Sequence, residues 1–146
     1  MSIKRSATSV WTGNAMQGKG AITTQSGAFS SQPYSFNTRF QSEDGRAGTN
    51  PEELLAAAHS GCFAMATSVA LSSAGHPPDE LKVNATVQLD RQGEAFTITG
   101  IHLDLQARVP GIDDAGFQAA AKGAKENCPL SKALAAVPIT LSAKLL

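Results

Sequence analysis

Residues Thr49 to Pro78 constrain this chain more than any other stretch. Thr49-Asn50 offers capping side chains, Pro51 suits the first helical position, and Glu52-Glu53 place negative charge at the positive end of a helix dipole. Gly75 followed by Pro77-Pro78 ends the segment. Between those marks Leu54, Leu55, Ala56, Ala57, Ala58, Cys62, Phe63, Ala64, Met65, Ala66, Val69, Ala70 and Leu71 leave the helix apolar on nearly every side. A neutral helix with so much apolar surface needs cover, so it reads as the central, buried helix of the fold. Its Ala, Gly and Ser content is compatible with close approach of a second helix or another subunit. Its longest purely apolar run, Leu54 to Ala58, is far shorter than the roughly 20 residues that cross a bilayer, so no membrane span is expected.

Short strands precede that helix and a hairpin follows it. Ser9–Thr12, Ala21–Thr24 and Ser35–Phe40 carry β-branched or aromatic residues separated by glycine- and serine-rich turns, and Gln41–Gly48 reads as an exposed loop. Val83, Ala85, Val87 and Leu89 alternate with polar residues, a turn falls at Asp90-Arg91-Gln92-Gly93, and a second strand runs from Phe96 to Val109. The inward set of that strand changes phase between Phe96, Ile98 and Ile101, Leu103, Leu105, which marks a β-bulge at Gly100. Asp113 or Asp114 caps a helix to about Asn127, Cys128-Pro129 opens a short helix, and Pro138–Leu145 is the last strand. The order βββ-α-ββ-αα-β defines an α+β fold, and with 146 residues and no repeat or linker the chain reads as one domain over 1–146.

Lysine plus arginine equal aspartate plus glutamate at 12 each, so no charge field collects phosphate and nucleic acid is not an expected partner. Met1–Thr8 is basic but lacks the apolar core and cleavage site of a secretory signal, and a cytoplasmic protein is expected. Two cysteines in that setting are reduced at rest, and their separation fits neither a CxxC redox turn nor a zinc frame. Either they are buried, inert thiols, or they carry chemistry. Cys62 lies mid-helix, where desolvation raises its pKa unless a cation compensates, whereas Cys128 at a helix cap is by spacing the more acidic thiol.

Phe36-Asn37-Thr38-Arg39-Phe40, Gly48-Thr49-Asn50-Pro51-Glu52-Glu53-Leu54, Ala58-His59-Ser60-Gly61-Cys62-Phe63 and Asn127-Cys128-Pro129-Leu130-Ser131 follow one another in this order. Together they resemble the OsmC branch of the OsmC/Ohr family of thiol-dependent organic hydroperoxide peroxidases, over nearly the whole chain. The resemblance implies a peroxidatic Cys62, a resolving Cys128, a site organised by Arg39 and Glu52, and a role in oxidative and osmotic stress defence. It further implies antiparallel sheets wrapped around central helices in an intertwined homodimer with sites at the subunit interface. It points to a lipoyl-type dithiol as external reductant, with no bound cofactor. The Ohr branch takes its site arginine from a different strand, so the role of Arg39 rests on the OsmC-type motif around it.

The chemistry fits that resemblance. A thiolate cleaves the O–O bond, an alcohol leaves, and the sulfenic acid formed on Cys62 closes to a disulfide with a second thiol. Lowering a thiol pKa by about 2 units raises the thiolate fraction about 25-fold at neutral pH, but the accompanying loss of nucleophilicity returns about 8-fold of it. Arg39 must therefore act mainly by hydrogen-bonding the peroxide and the developing alkoxide, with Glu52 orienting it. Ten residues of straight helix rise about 15 Å, so Glu52 and Cys62 cannot meet on one unbroken helix. Either the helix is interrupted near Ala58–Gly61, or Glu52 serves the Cys62 of a partner subunit.

Phe36 and Phe40 are candidates for an alkyl pocket, with Trp11, Tyr34 and Phe63 as further aromatics that could line one or belong to the core. His59, one turn before Cys62, is carried as a pocket residue, read as a polar wall or subunit contact ahead of a general base. His76 and His102 are too distant in sequence for a metal site with His59 and the cysteines to be expected. Two other classes compete with the enzyme: a noncatalytic thiol redox sensor or stress-response binding protein, and an enzyme in which Cys62 attacks an acyl or other electrophile.

Overall fold

A computed structural model describes all 146 residues, Met1–Leu146. The chain divides into two compact units, Met1–Leu54 and Leu55–Leu146. In the first, β1 (Ala7–Thr12), β2 (Lys19–Thr24) and β3 (Gln32–Tyr34) form an antiparallel sheet in the order β1-β2-β3. Gly20 pairs with Trp11 on one side and Tyr34 on the other, and any Cβ there would collide with both rings. Glycine at this position lets the two aromatics close over the strand at 5.5 Å between centroids.

The third strand differs from expectation. It stops at Tyr34, and Asn37–Gln41 winds into one π-helical turn, so Arg39 sits on a helical turn and not on the strand expected over Ser35–Phe40. Local side-chain bonding is the physical reason: Thr38 Oγ1 accepts from the Ser35 amide (2.9 Å) and Ser35 Oγ accepts from the Thr38 amide (3.3 Å). Such bonds offer the backbone an alternative to a sheet ladder.

Helix α1 (Pro51–Ser73) starts and stops where its sequence dictates. Asn50 Oδ1 accepts from the Glu53 amide at 2.8 Å, closing the N-terminus. Gly75, at φ +85°, turns the chain so that its amide bonds the Ser72 carbonyl and the His76 amide bonds the Leu71 carbonyl, a Schellman closure. The helix is continuous through Ala58–Gly61, which removes the interrupted-helix alternative. It is not buried all round. His59, Phe63, Thr67 and Leu71, spaced by four, form the one buried stripe, while Met65 and Val69 are 72% and 66% exposed in the single chain. By length and composition alone α1 would also pass for a membrane span, a point the short apolar runs of the sequence did not reveal.

In the second unit β4 (Glu80–Gln92) and β5 (Ala95–Arg108) form an antiparallel hairpin. Its turn is tighter than expected: Gln92 still pairs with Ala95, and Gly93 at φ +64° opens a two-residue loop of the type II′ pattern. The bulge lies beside Gly100 as its phase change predicts, since Gln88 pairs with Gly100 and Leu89 with Ile98, leaving Thr99 unpaired. After α2 (Asp114–Asn127) and α3 (Pro129–Ala133), β6 (Ile139–Leu145) joins the sheet in the order β4-β5-β6. Here the sheet departs from an all-antiparallel arrangement, because β6 runs parallel to β5. The two helices supply the crossover that a parallel neighbour needs.

The core gathers Ile101, Leu103, Leu105, Ala107 and Val109 with Phe117, Ala121 and Ala124 of α2, Phe63 and Leu71 of α1, and Cys128. Alternation along β5 therefore points one face at the helices. Phe117, fully buried, fills the middle of this cluster's helical side. Phe117→Ala should cost about 3–5 kcal/mol in urea denaturation, against changes within about 0.5 kcal/mol for Asn84→Ala on the strand surface.

Candidate functional site

Two groups of the expected site residues are assembled, one in each compact unit. In the first, Thr38 Oγ1 donates to the Thr49 carbonyl at 2.9 Å and ties the π-helical turn to the start of α1. That tie brings Arg39 onto Glu52. Arg39 Nη2 lies 2.7 Å from Glu52 Oε1, and its Nε lies 3.2 and 3.1 Å from the two carboxylate oxygens. The fork is held from one edge, with Glu52 the more enclosed partner at 12% side-chain exposure against 36% for Arg39. Nη1 makes no hydrogen bond within the chain, so a donor edge remains available to an oxygen ligand.

Beside Arg39 lies a cavity of about 360 Å³ lined by Trp11, Ala15, Tyr34, Ser35, Phe36, Arg39 and Phe40. Phe36 and Phe40 are in contact, 4.9 Å between ring centroids, and the Arg39 guanidinium carbon stands 4.8 Å from the Phe40 ring centre. An apolar wall and a cation thus share one opening, a surface suited to a molecule with a hydrocarbon part and a polar oxygen. Phe63, another of the aromatics considered, is instead fully buried in the core of the second unit.

In that second unit Cys62 and Cys128 are both free thiols, and their sulfurs stand 2.9 Å apart across 66 positions of sequence. Cys128 is placed by a reversal: it ends α2, its amide bonding the Ala124 carbonyl, and it immediately precedes α3, with Pro129 as the first helical residue. Burial pushes the Cys62 thiol up, and its hydrogen bond with Cys128 pushes it the same way. Burial also opposes ionisation of Cys128, but its contact with Cys62, the Ser131 and Leu130 amides and the Ser131 hydroxyl outweigh it and hold that thiol below its ordinary value. Of the two thiols Cys128 is thus the one whose surroundings favour charge, in line with its cap position. No cation figures among the groups acting on Cys62.

His59 is fully buried and does not line the cavity beside Arg39. Its Nε2 lies 2.8 Å from Ser131 Oγ, and its Nδ1 has no partner. Ser131, 6% exposed, had no role assigned from sequence; its place one turn after Cys128 was the signal that could have found it.

The profile of the OsmC-like protein family matches residues 42–142. Peroxiredoxin OsmC of Escherichia coli is 44% identical over 145 residues, covering 99% of each chain. An organic hydroperoxide resistance protein of Xanthomonas axonopodis pv. citri is 36% identical over 90 residues, 61% of each chain. Among solved structures, the organic hydroperoxide resistance protein OhrB of Bacillus subtilis superposes with a TM-score of 0.70 at 25% identity, over 95% of this chain and 98% of that one.

Burial lowers the His59 pKa from its ordinary value of 6.5. The unfolded chain binds a proton there near that pH and the folded chain does not, so this part of the stability is present above about pH 6.5 and declines as pH falls below it. Urea midpoints taken at about pH 7.5 and about pH 5.5 should show the decline, and His59→Leu should lessen it.

Proposed function

This chain belongs to the OsmC-like protein family and is a peroxidase oxidoreductase, and we propose that it reduces organic hydroperoxides to alcohols through Cys62 and Cys128. The juxtaposition of those two sulfurs carries the reading. The Cys62 thiolate attacks one peroxide oxygen, the O–O bond breaks, and the alkoxide takes a proton and leaves as the alcohol. Cys62 is then a sulfenic acid. Cys128 attacks its sulfur, the S–O bond breaks, water is lost, and a disulfide remains. Closing from 2.9 Å to the ordinary S–S bond of about 2.05 Å needs only a small side-chain movement. An external dithiol of lipoyl type reduces the disulfide and is itself oxidised, returning both thiols.

Arg39 and Glu52 serve the first half of this cycle. Cys62 receives no help from a cation within its own surroundings, and α1 is unbroken between Glu52 and Cys62. The Arg39–Glu52 pair of one copy therefore acts at Cys62 of a second, in a homodimer whose sites lie at the subunit interface. There the guanidinium hydrogen-bonds the peroxide and the alkoxide that forms from it. The aromatic cavity beside Arg39 receives the hydrocarbon part of the substrate, which favours organic hydroperoxides over hydrogen peroxide. Both compact units form one OsmC-like domain, in keeping with the Escherichia coli relative that matches 99% of the chain. The protein works in the cytoplasm in defence against oxidative and osmotic stress.

Cys62→Ser should abolish turnover, whereas Cys128→Ser should react once and stall at the sulfenic acid, visible by mass spectrometry after trapping. Cumene hydroperoxide should be reduced faster than hydrogen peroxide. A single stoichiometric oxidation without dithiol-driven turnover would sink the peroxidase reading and favour a redox sensor. Mixing inactive Arg39→Ala and Cys62→Ser subunits should restore about a quarter of wild-type activity if the pair acts across the dimer, because half the dimers then hold one complete site. No recovery after subunit exchange would place the pair in the same chain as its cysteine.

A further inference from the structure

His59 lies one turn before Cys62 on α1, and Ser131 lies one turn after Cys128 on α3. His59 Nε2 meets the Ser131 hydroxyl oxygen at 2.8 Å, so this bond ties together the two segments whose sulfurs stand 2.9 Å apart. His59 and Ser131 are both buried, so no bulk water competes for it. The direction of the bond follows from the unpartnered Nδ1. A buried N–H without an acceptor is rarer and costlier than a bare lone pair, so the ring proton belongs on Nε2 and is donated to Ser131 Oγ. The opposite tautomer would strand an N–H at Nδ1.

We propose that His59 is a positioning residue for the disulfide-forming half of the cycle, holding the start of α3 against α1 through Ser131 and so keeping Cys128 in place to attack oxidised Cys62. The assignment rests on the peroxidase reading above and adds a division of labour to it. Cys128 Sγ attacks Cys62 Sγ, the new S–S bond forms as the Cys62 S–O bond breaks, and the departing hydroxide takes a proton from solvent to leave as water. His59 keeps its proton throughout. It is not the base, because burial disfavours a charged imidazole at this place.

The test is a single turnover of the full-length protein with one equivalent of cumene hydroperoxide and no reductant, following sulfenic acid by dimedone trapping and disulfide by mass spectrometry. His59→Leu should form the sulfenic acid within about twofold of the wild-type rate but close the disulfide about tenfold more slowly, the scale of one lost buried hydrogen bond. His59→Gln, whose amide N–H can occupy the Nε2 position, should recover closure to within about twofold. If His59→Leu does not fold, Ser131→Ala carries the test and should show the same selective delay. An unchanged closure rate in whichever variant folds, or equal slowing of both steps, overturns the proposal while leaving the peroxidase intact. Wild-type protein that yields neither sulfenic acid on Cys62 nor the Cys62–Cys128 link would overturn the parent reading itself.

Discussion

The contact between the sulfurs of Cys62 and Cys128 is the constraint around which the second unit is arranged. One sulfur is fixed by a long helix, the other by the reversal between α2 and α3 at Cys128-Pro129. Proline cannot extend α2 by donating an amide, and it suits the start of α3, so the backbone turns at the residue that must face Cys62. The buried stripe of α1 then does two tasks at once: Phe63 and Leu71 enter the apolar core, while His59 meets Ser131.

The same contact divides the two thiols electrically. Amide and hydroxyl donors favour charge on Cys128, while burial works against charge on Cys62. The peroxidatic role proposed for Cys62 therefore requires a positive group that its own surroundings do not supply. The Arg39–Glu52 fork, held by Thr38 and Thr49 against the start of α1, has the chemistry to provide it. The apolar outer face of α1, with Met65 and Val69 exposed, is consistent with a second copy as the source of that group.

Much of this was legible in the residues. Asn50-Pro51 and Gly75 set the ends of α1 because caps are local chemistry, and the phase change around Gly100 marked the bulge because side chains alternate strictly along a strand. What escaped were features decided by non-local or competing bonds. Ser35–Phe40 has strand composition, yet the Ser35 and Thr38 side chains capture its backbone and wind Arg39 onto a turn. The parallel pairing of β6 depends on where α2 and α3 deliver the chain, which no alternation pattern encodes. The four motifs gave the cysteines, Arg39 and Glu52 as a set, but Ser131 became visible only through its neighbours, since a serine in a first helical turn carries no distinguishing pattern by itself.

The late position of Cys128 has a consequence for the growing polypeptide. Ribosomes add about 5–20 residues per second, and Cys128 follows Cys62 by 66 positions, so a nascent molecule carries the first sulfur for roughly 3–13 seconds before the second has been made. Even then the return path through α2 and α3 must be laid down before β6 can close the sheet beside β5. In the proposed cycle, an oxidant arriving in that interval finds a cysteine with no rescuer, and overoxidation to the irreversible sulfinic form becomes the open route. Newly made copies, more than finished ones, are the molecules most easily poisoned by the reagents this protein removes.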